Sequence, residues 1–348
     1  MASNLWNNFG FMIWGTLAYY VTHNFWLSLS LSFFMLLYTL VIAEIQADRW
    51  SEYFDIKNAT VASLHNIEQT IPAILLDPLW NLLGFNKVKL TPKVFKDRLG
   101  VFGEPTSLGI ILGIIIGILG NLNNLTDIDA WGEVLKFAIQ LAAVMTIFPL
   151  ITDVFAKAFI PLADAIDSRQ KEEMKEKTHP KRWFLGIDDG VGYGEPATII
   201  SGMILIPIMV LLAFVLPGNR TLPVVDLIAL PFMVESIVAI TRGNILKIIA
   251  NGIIWFSLGL YASSWLGSIY TEAVSNYGAT IPTGVVLITS FNLMARPLNA
   301  VVFAAFISQN PFWIGLCLAI YLVLLFLLRR YRNQIWSYLR KMSEKNIN

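Results

Sequence analysis

GVFGEPTSLGIILGIIIGILGN (residues 100–121) and GYGEPATIISGMILIPIMVLLAFVLPGN (residues 192–219) repeat one plan. Each carries a Gly-Glu-Pro tripeptide ahead of an apolar run free of further charge, and each run closes on Gly-Asn. A charge-free stretch of about 18 residues or more reads as a membrane-spanning helix. The N-terminal residues 1–43 contain no Asp, Glu, Lys or Arg, enough for two spans with Thr22, His23 and Asn24 as the turn between them. Only helices and closed barrels satisfy the backbone in lipid, and these runs are continuous rather than alternating, so helices are expected.

The whole chain agrees with its runs. Of its 348 residues, 56% are apolar and 14% charged, against roughly 25% charged in a soluble domain. The expected fold is all-α, a polytopic transmembrane bundle of about 8–9 spans with re-entrant or broken helices, forming a single integral-membrane domain over 1–348. Net charge is +1, so no field draws nucleic acid. The single Cys317 and the unspaced His23, His65 and His179 make no metal centre, and no P-loop or dinucleotide fingerprint is present, so no cofactor is expected.

Candidate spans fall at 9–20, 25–43, 107–122, 134–151, 198–216, 222–240, 245–265, 281–307 and 313–328. Three basic clusters interrupt them: Lys87, Lys89, Lys93, Lys96 and Arg98; residues from Arg169 to Arg182, including Lys177 and Lys181; and Arg329 to Lys341. The positive-inside rule places all three in the cytoplasm, with a cytoplasmic linker at 164–184 and a basic cytoplasmic tail at 329–348. Segments that begin and end on one side cross an even number of times, yet five spans lie between Arg182 and Arg329. One of them must be broken. The candidates are 222–240, with Pro231, Asp226 and Glu235, and 281–307, with Arg296 and Pro297 at its middle. Residues 71–85, IPAILLDPLWNLLGF, read as another broken element around Asp77 and Pro78.

Proline at a first helical turn loses no hydrogen bond, and glycine ahead of it permits a sharp approach. Gly103-Glu104-Pro105 and Gly194-Glu195-Pro196 therefore each place a carboxylate at a helix N-terminus. Helix capping accounts for that placement, since the macrodipole favours negative charge there. A second account has the two carboxylates converge on one hydrated pocket, because an ionised carboxylate offers acceptor lone pairs to a solute rich in O–H groups. Asp188, in DDGVGYGEP, lies beside the second tripeptide and joins the candidates. Turn chemistry explains the Arg-Gly-Asn of ITRGNIL.

FGEP before a Gly-rich span, the GID approach to a second break, IPIMVLLAFVLPGN, and TRGN, in this order, resemble the galactitol-type membrane component, enzyme IIC, of bacterial phosphotransferase systems. The likeness runs from about Trp6 to the C-terminal tail and is densest over 99–252. It implies a permease of the bacterial inner membrane, in the ascorbate-galactitol superfamily, with re-entrant hairpins in a core domain and a homodimer contact domain. It also implies cytoplasmic IIA and IIB partners, IIB carrying phosphate on a cysteine. In that picture Glu104 holds and deprotonates the attacking hydroxyl; Gly103, Glu104, Pro105, Asp188, Glu195, His65 and Arg296 are the candidate solute-binding residues of this sequence.

A chain of this family is expected to begin with further spans ahead of the region at Trp6. Three hairpins depart from the pattern: TVASLHN stands where Pro-His-Gly is expected, Gly194-Glu195 where Gly-His is expected, and Met294-Ala295-Arg296-Pro297 replaces a glycine-rich turn. The departures imply either a different solute or a paralogue that kept the helices as a membrane scaffold or regulator, with Glu195 and Arg296 neutralising each other. A carrier using Glu104 and Glu195 as proton-linked acceptors, without phosphorylation, is the third alternative.

Overall fold

The computed structural model describes residues 2–3, 9–88, 90–176, 182–223, 226–281 and 285–344; Trp6, Lys89, Lys177, His179 and Lys181 lie outside the described residues. The N-terminal charge-free stretch forms α1 (Phe9–Thr22) and α2 (Phe25–Tyr53), divided where His23 turns left-handed at φ 51°. Asn24 starts α2 by accepting from the Leu27 backbone N–H at 3.1 Å. The first broken element follows as α3 (Leu64–Ile67) and α4 (Thr70–Leu82), the latter carrying Pro78 in its interior. A short amphipathic α5 (Pro92–Leu99) leads into α6 (Pro105–Gly120) and the 49-residue α7 (Ile128–Glu176).

The α6–α7 hairpin shows how sequence becomes packing. Gly109, Gly113 and Gly117 recur every fourth residue, so they line one face of α6. A Cβ at Gly113 would overlap the backbone of Ala138, and one at Gly117 would sit 2.7 Å from the Cα of Val134. Small residues at this spacing let two helices touch backbone to backbone in lipid, where van der Waals packing carries association. Residues 164–176, expected as the start of a linker, instead continue α7. Their Lys, Glu and Gln are strong helix formers, and Lys171 pairs with Asp167 one turn away at 2.7 Å.

The second half comprises α8 (Pro196–Val215), α9 (Leu230–Thr241), α10 (Ile245–Asn276), α11 (Phe291–Met294), α12 (Pro297–Ile307) and α13 (Pro311–Glu344). Both suspected breaks are present: the 222–240 run has a 3-10 turn at Asp226–Ala229 and becomes α-helical at Leu230, and 281–307 is split at Ala295–Arg296. Among the described residues, α2, α7, α8, α10 and α13 are long and apolar enough to cross a membrane, with α6 and α12 shorter apolar helices. Helix α9 is the most enclosed and packs against α2, α3, α4, α8 and α10. Helix α13 leaves Phe312, Val323 and Phe326 exposed, then departs from helical geometry at Tyr331 and folds its basic end against α2. The tail read at 329–348 is therefore helical to Glu344, and Arg332 and Arg340 pair with Glu44 and Asp48 at 2.8 and 2.7 Å.

Two long-range devices hold the broken elements. Asp77 and Lys247, both fully buried, meet at 2.6 Å and tie α4 to α10, with Asn81 bonding each partner at 2.7 Å. The second device is a small parallel sheet: β1 (Ala2–Ser3), β2 (Ala59–Val61) and β3 (Leu185–Ile187), with β3 central. Ala59 registers with Leu185 and Val61 with Ile187. Helical periodicity carries no sign of these strands, because a three-residue strand is too short to show an alternation.

Candidate functional site

Strands that pair in parallel release their following segments at the same end. After β2 come Ser63 and His65, and after β3 come Asp188 and Asp189. The two segments therefore meet: Ser63 Oγ donates to Asp189 Oδ2 at 2.9 Å, and His65 Nε2 lies 2.9 Å from the same oxygen. Burial works to raise the Asp189 carboxyl, but the His65 charge and hydrogen bond, with the Ser63 hydroxyl, hold it below its usual value. Asp188 accepts from the Gly190 backbone N–H at 2.8 Å, and burial followed by the Asp189 charge pushes its carboxyl up.

Glu235 enters from α9. Its side chain is fully buried and pressed against Gly192, where an added Cβ would overlap the carboxylate. Asp189, Asp188 and Glu195 act on it electrostatically, and among the described residues neither of its oxygens has a hydrogen-bond partner. Glu195 is more committed. It caps α8 through the Thr198 backbone N–H at 2.7 Å, takes the Thr198 hydroxyl at 2.9 Å, and accepts from Tyr53 Oη at 2.8 Å.

Arg296, fully buried between α11 and α12, donates to the carbonyls of His65 and Asn292. Its charge faces those of Glu68, Asp189 and Asp226. Glu68 in turn accepts from the Leu298 and Asn299 backbone N–H groups at 3.1 and 2.8 Å, serving as a cap for α12 supplied from another element. The tips of the two broken elements are thus joined by Arg296 and Glu68. The expected Glu195–Arg296 neutralisation is not formed; Tyr53 and Thr198 occupy Glu195, and Glu68 is the first charge acting on Arg296.

Around these charges both side-chain amide atoms of Asn66 and of Asn299, together with Gln69 Oε1 and His65 Nδ1, are buried without a partner among the described residues. Each such atom costs about 1–3 kcal/mol unless something polar reaches it, and native interiors keep few of them. A cluster of donors and acceptors at the junction of broken helices is suited to water or a hydroxylated solute.

Of the residues singled out from sequence, His65, Asp188, Glu195 and Arg296 belong to this cluster by contact or by field. Gly103, Glu104 and Pro105 do not. Glu104 occupies the N-cap of α6 without a capping hydrogen bond, is about half exposed at 46%, and pairs with Lys96 at 3.0 Å. Sequence reading passed over Glu235, Glu68 and Tyr53 as site residues. Glu235 had a signal, an ionisable residue inside the apolar run LPFMVESIVAIT, which marks function by default in a membrane helix.

Fold and site together define a multi-pass helical membrane protein whose polar centre lies where interrupted helices meet. The chain belongs to the EIIC-GAT family, the PTS system sugar-specific permease component, whose family model matches residues 1–284. It is a multi-pass protein of the inner membrane. It is 29% identical over 239 residues to the PTS system galactitol-specific EIIC component of Escherichia coli K12 and, equally, to that of Escherichia coli O157:H7. In both cases the match covers 68% of this chain and 50% of the relative, so the chain spans about half the length of the curated relatives it matches. No solved structure matches the chain significantly.

Proposed function

We propose that the chain acts as the membrane component of a phosphoenolpyruvate-dependent phosphotransferase system, binding a galactitol-like polyol and presenting it to a IIB partner charged through IIA. The carboxyl of Glu235, unpartnered among the described residues and set in the field of Asp188, Asp189 and Glu195, carries this reading, with the unpartnered amides of Asn66 and Asn299 beside His65 and Glu68 as further polar groups. A carboxylate accepts from hydroxyls and an amide both donates and accepts, the combination a polyol requires. Of the carboxylates at the site, Glu235 has acceptor positions unspent, whereas Glu195 uses its own on Tyr53 and Thr198. In the transfer step a solute hydroxyl oxygen attacks phosphorus and the S–P bond to the IIB cysteine breaks. The thiolate leaves with the electron pair, and the hydroxyl proton passes to Glu235.

His65, Asp188 and Arg296 then hold the walls of the solute site and Glu195 fixes Tyr53, while Gly103, Glu104 and Pro105 stand outside it. The basic clusters support a cytoplasmic C-terminus: Arg182, Arg332 and Arg340 gather against the end of α2, and the loop after α4 hydrogen-bonds Asn244 near that end. The exposed apolar faces of α7 and α13 are consistent with lipid and with a homodimer contact. Calorimetry of the purified protein against a panel of hexitols and sugars tests the reading. Saturable heat lost in Glu235→Gln supports it, whereas no heat with any member favours a membrane scaffold. Uptake into proteoliposomes without IIB would favour a carrier that does not phosphorylate.

A further inference from the structure

The turn ITRGNIL between α9 and α10 is more than a connector. Arg242 takes the left-handed conformation at the end of α9, φ 56° and ψ 42°, which side chains other than Gly, Asn and Asp rarely adopt. The next residue, Gly243, is also left-handed at φ 72° and seats itself on Tyr53, where any Cβ would overlap the phenol oxygen. That phenol donates to Glu195, so the turn is one residue removed from the solute site.

Arg242 is half buried and has no hydrogen bond or ion pair among the described residues. One turn back along α9, the Ala239 carbonyl meets a second guanidinium, that of Arg49, almost fully buried on α2, whose charge Arg242 opposes. Arg49 reaches Glu52 at 2.7 Å and the Ala239 carbonyl at 3.4 Å, and its Nε is left buried without a partner among the described residues. The half-exposed carboxylate of Glu52 is shared between Arg49 and Arg340, the latter at 3.7 Å. Two arginines held near each other by a strained turn and a buried helix present N–H forks that match the oxygens of a phosphoryl group.

We propose that Arg242 and Arg49 form a phosphoryl-oxyanion site at the mouth of the solute site, with Arg242 as the residue that positions the transferred group. The phosphotransferase reading supplies the source of the phosphoryl group, and the proposal rests on it to that extent; a phospholipid headgroup supplies the same chemistry. A dianion there would relieve the arginine repulsion and use the unspent Arg49 Nε, while Tyr53 and Glu195 connect it to Glu235. Arginine at such a site acts electrostatically on charge gathered by the equatorial oxygens.

The test uses the full chain in nanodiscs of zwitterionic lipid, with calorimetric titration of a hexitol phosphate and, separately, of the unphosphorylated hexitol. Arg242→Asn is the first variant, since asparagine keeps the left-handed turn while removing the charge; Arg242→Lys is the second. Loss of one charge-assisted hydrogen bond is expected to weaken hexitol phosphate binding about ten- to a hundredfold, with the unphosphorylated hexitol bound as before and lysine restoring part of the loss. In the reconstituted relay the same variant should lower kcat far more than it raises KM. If adding phosphatidylglycerol competes with hexitol phosphate in the wild type and not in Arg242→Asn, the headgroup shares the site. Equal hexitol phosphate affinity in wild type and Arg242→Asn, with no lipid effect, overturns the proposal. Failure of the unphosphorylated hexitol alone to bind refutes the polyol reading and leaves the oxyanion site standing.

Discussion

The two Gly-Glu-Pro tripeptides are local twins with different surroundings. In each, the glutamate stands at the N-cap in extended backbone and the proline opens the helix. Glu104 then turns outward to Lys96, on a short surface helix, whereas Glu195 is gripped by Tyr53 and Thr198 and adds its charge to the field at Glu235. The difference lies in the helices that pack around each one. Helix α6 spends its glycine face on α7, and the resulting hairpin has its Gly-Glu-Pro at its rim. Helix α8 packs against α9 and α10 at the centre, so its tripeptide looks onto buried polar groups. A capping motif thus reports where a helix begins, and the neighbours decide whether the cap is chemistry.

This contrast between rim and centre is most open to challenge at its ion pairs and carboxylates. Removing one partner of the buried Asp77–Lys247 pair, as in Lys247→Met, should cost about 3–5 kcal/mol, because it leaves a charge in a dry interior. Thermal unfolding in detergent would read this, and restoration by Asp77→Asn in the same chain would assign the loss to the stranded carboxylate. Glu235→Gln keeps the shape and removes the carboxyl group. The expected loss in solute affinity is about 1.5–3 kcal/mol, seen by calorimetry, with folding retained.

A smaller effect is expected at Tyr53→Phe, which frees one oxygen of Glu195 and should cost about 0.5–1.5 kcal/mol of stability. Acid titration probes the same region. Asp189, held below its ordinary 3.8, contributes stability that is present above that value and fades as pH falls through its lower folded value. Asp188, pushed up, has the opposite sign, and its contribution grows as pH drops through its raised value. Asp189→Asn should therefore flatten the acid limb of a stability profile, and Asp188→Asn should not. The smallest change belongs to Glu104→Gln. An exposed pair such as Lys96–Glu104 is worth about 0–1 kcal/mol, and polyol binding should stay within about twofold, the scale of a surface pair. Loss of binding in that variant, with Glu235→Gln unaffected, would reverse the roles of the two tripeptides.

Much of the helical frame is legible in the residues alone. Charge-free apolar runs locate the long helices, the Asn24 turn splits the first two, and Pro231 and Arg296-Pro297 mark breaks that the structure places at Leu230 and between α11 and α12. The tail and the linker read from 164 onward differ for one reason: a polar, charged stretch says that a segment is wet and leaves open whether it is helical. Of the site, His65, Asp188, Glu195 and Arg296 are legible as polar residues interrupting oil, and Glu235 is visible there without its role.

Residue order dictates everything local: apolar continuity demands a helix in lipid because backbone groups have no other partners there, and Gly-Glu-Pro demands a capped start. The company each polar residue keeps is settled only by the folded arrangement. Three-residue strands 124 positions apart, Val61 and Leu185 marking their near ends, pair in parallel and bring His65 to Asp189. That pairing depends on contacts between distant segments, whose free energy no local periodicity encodes.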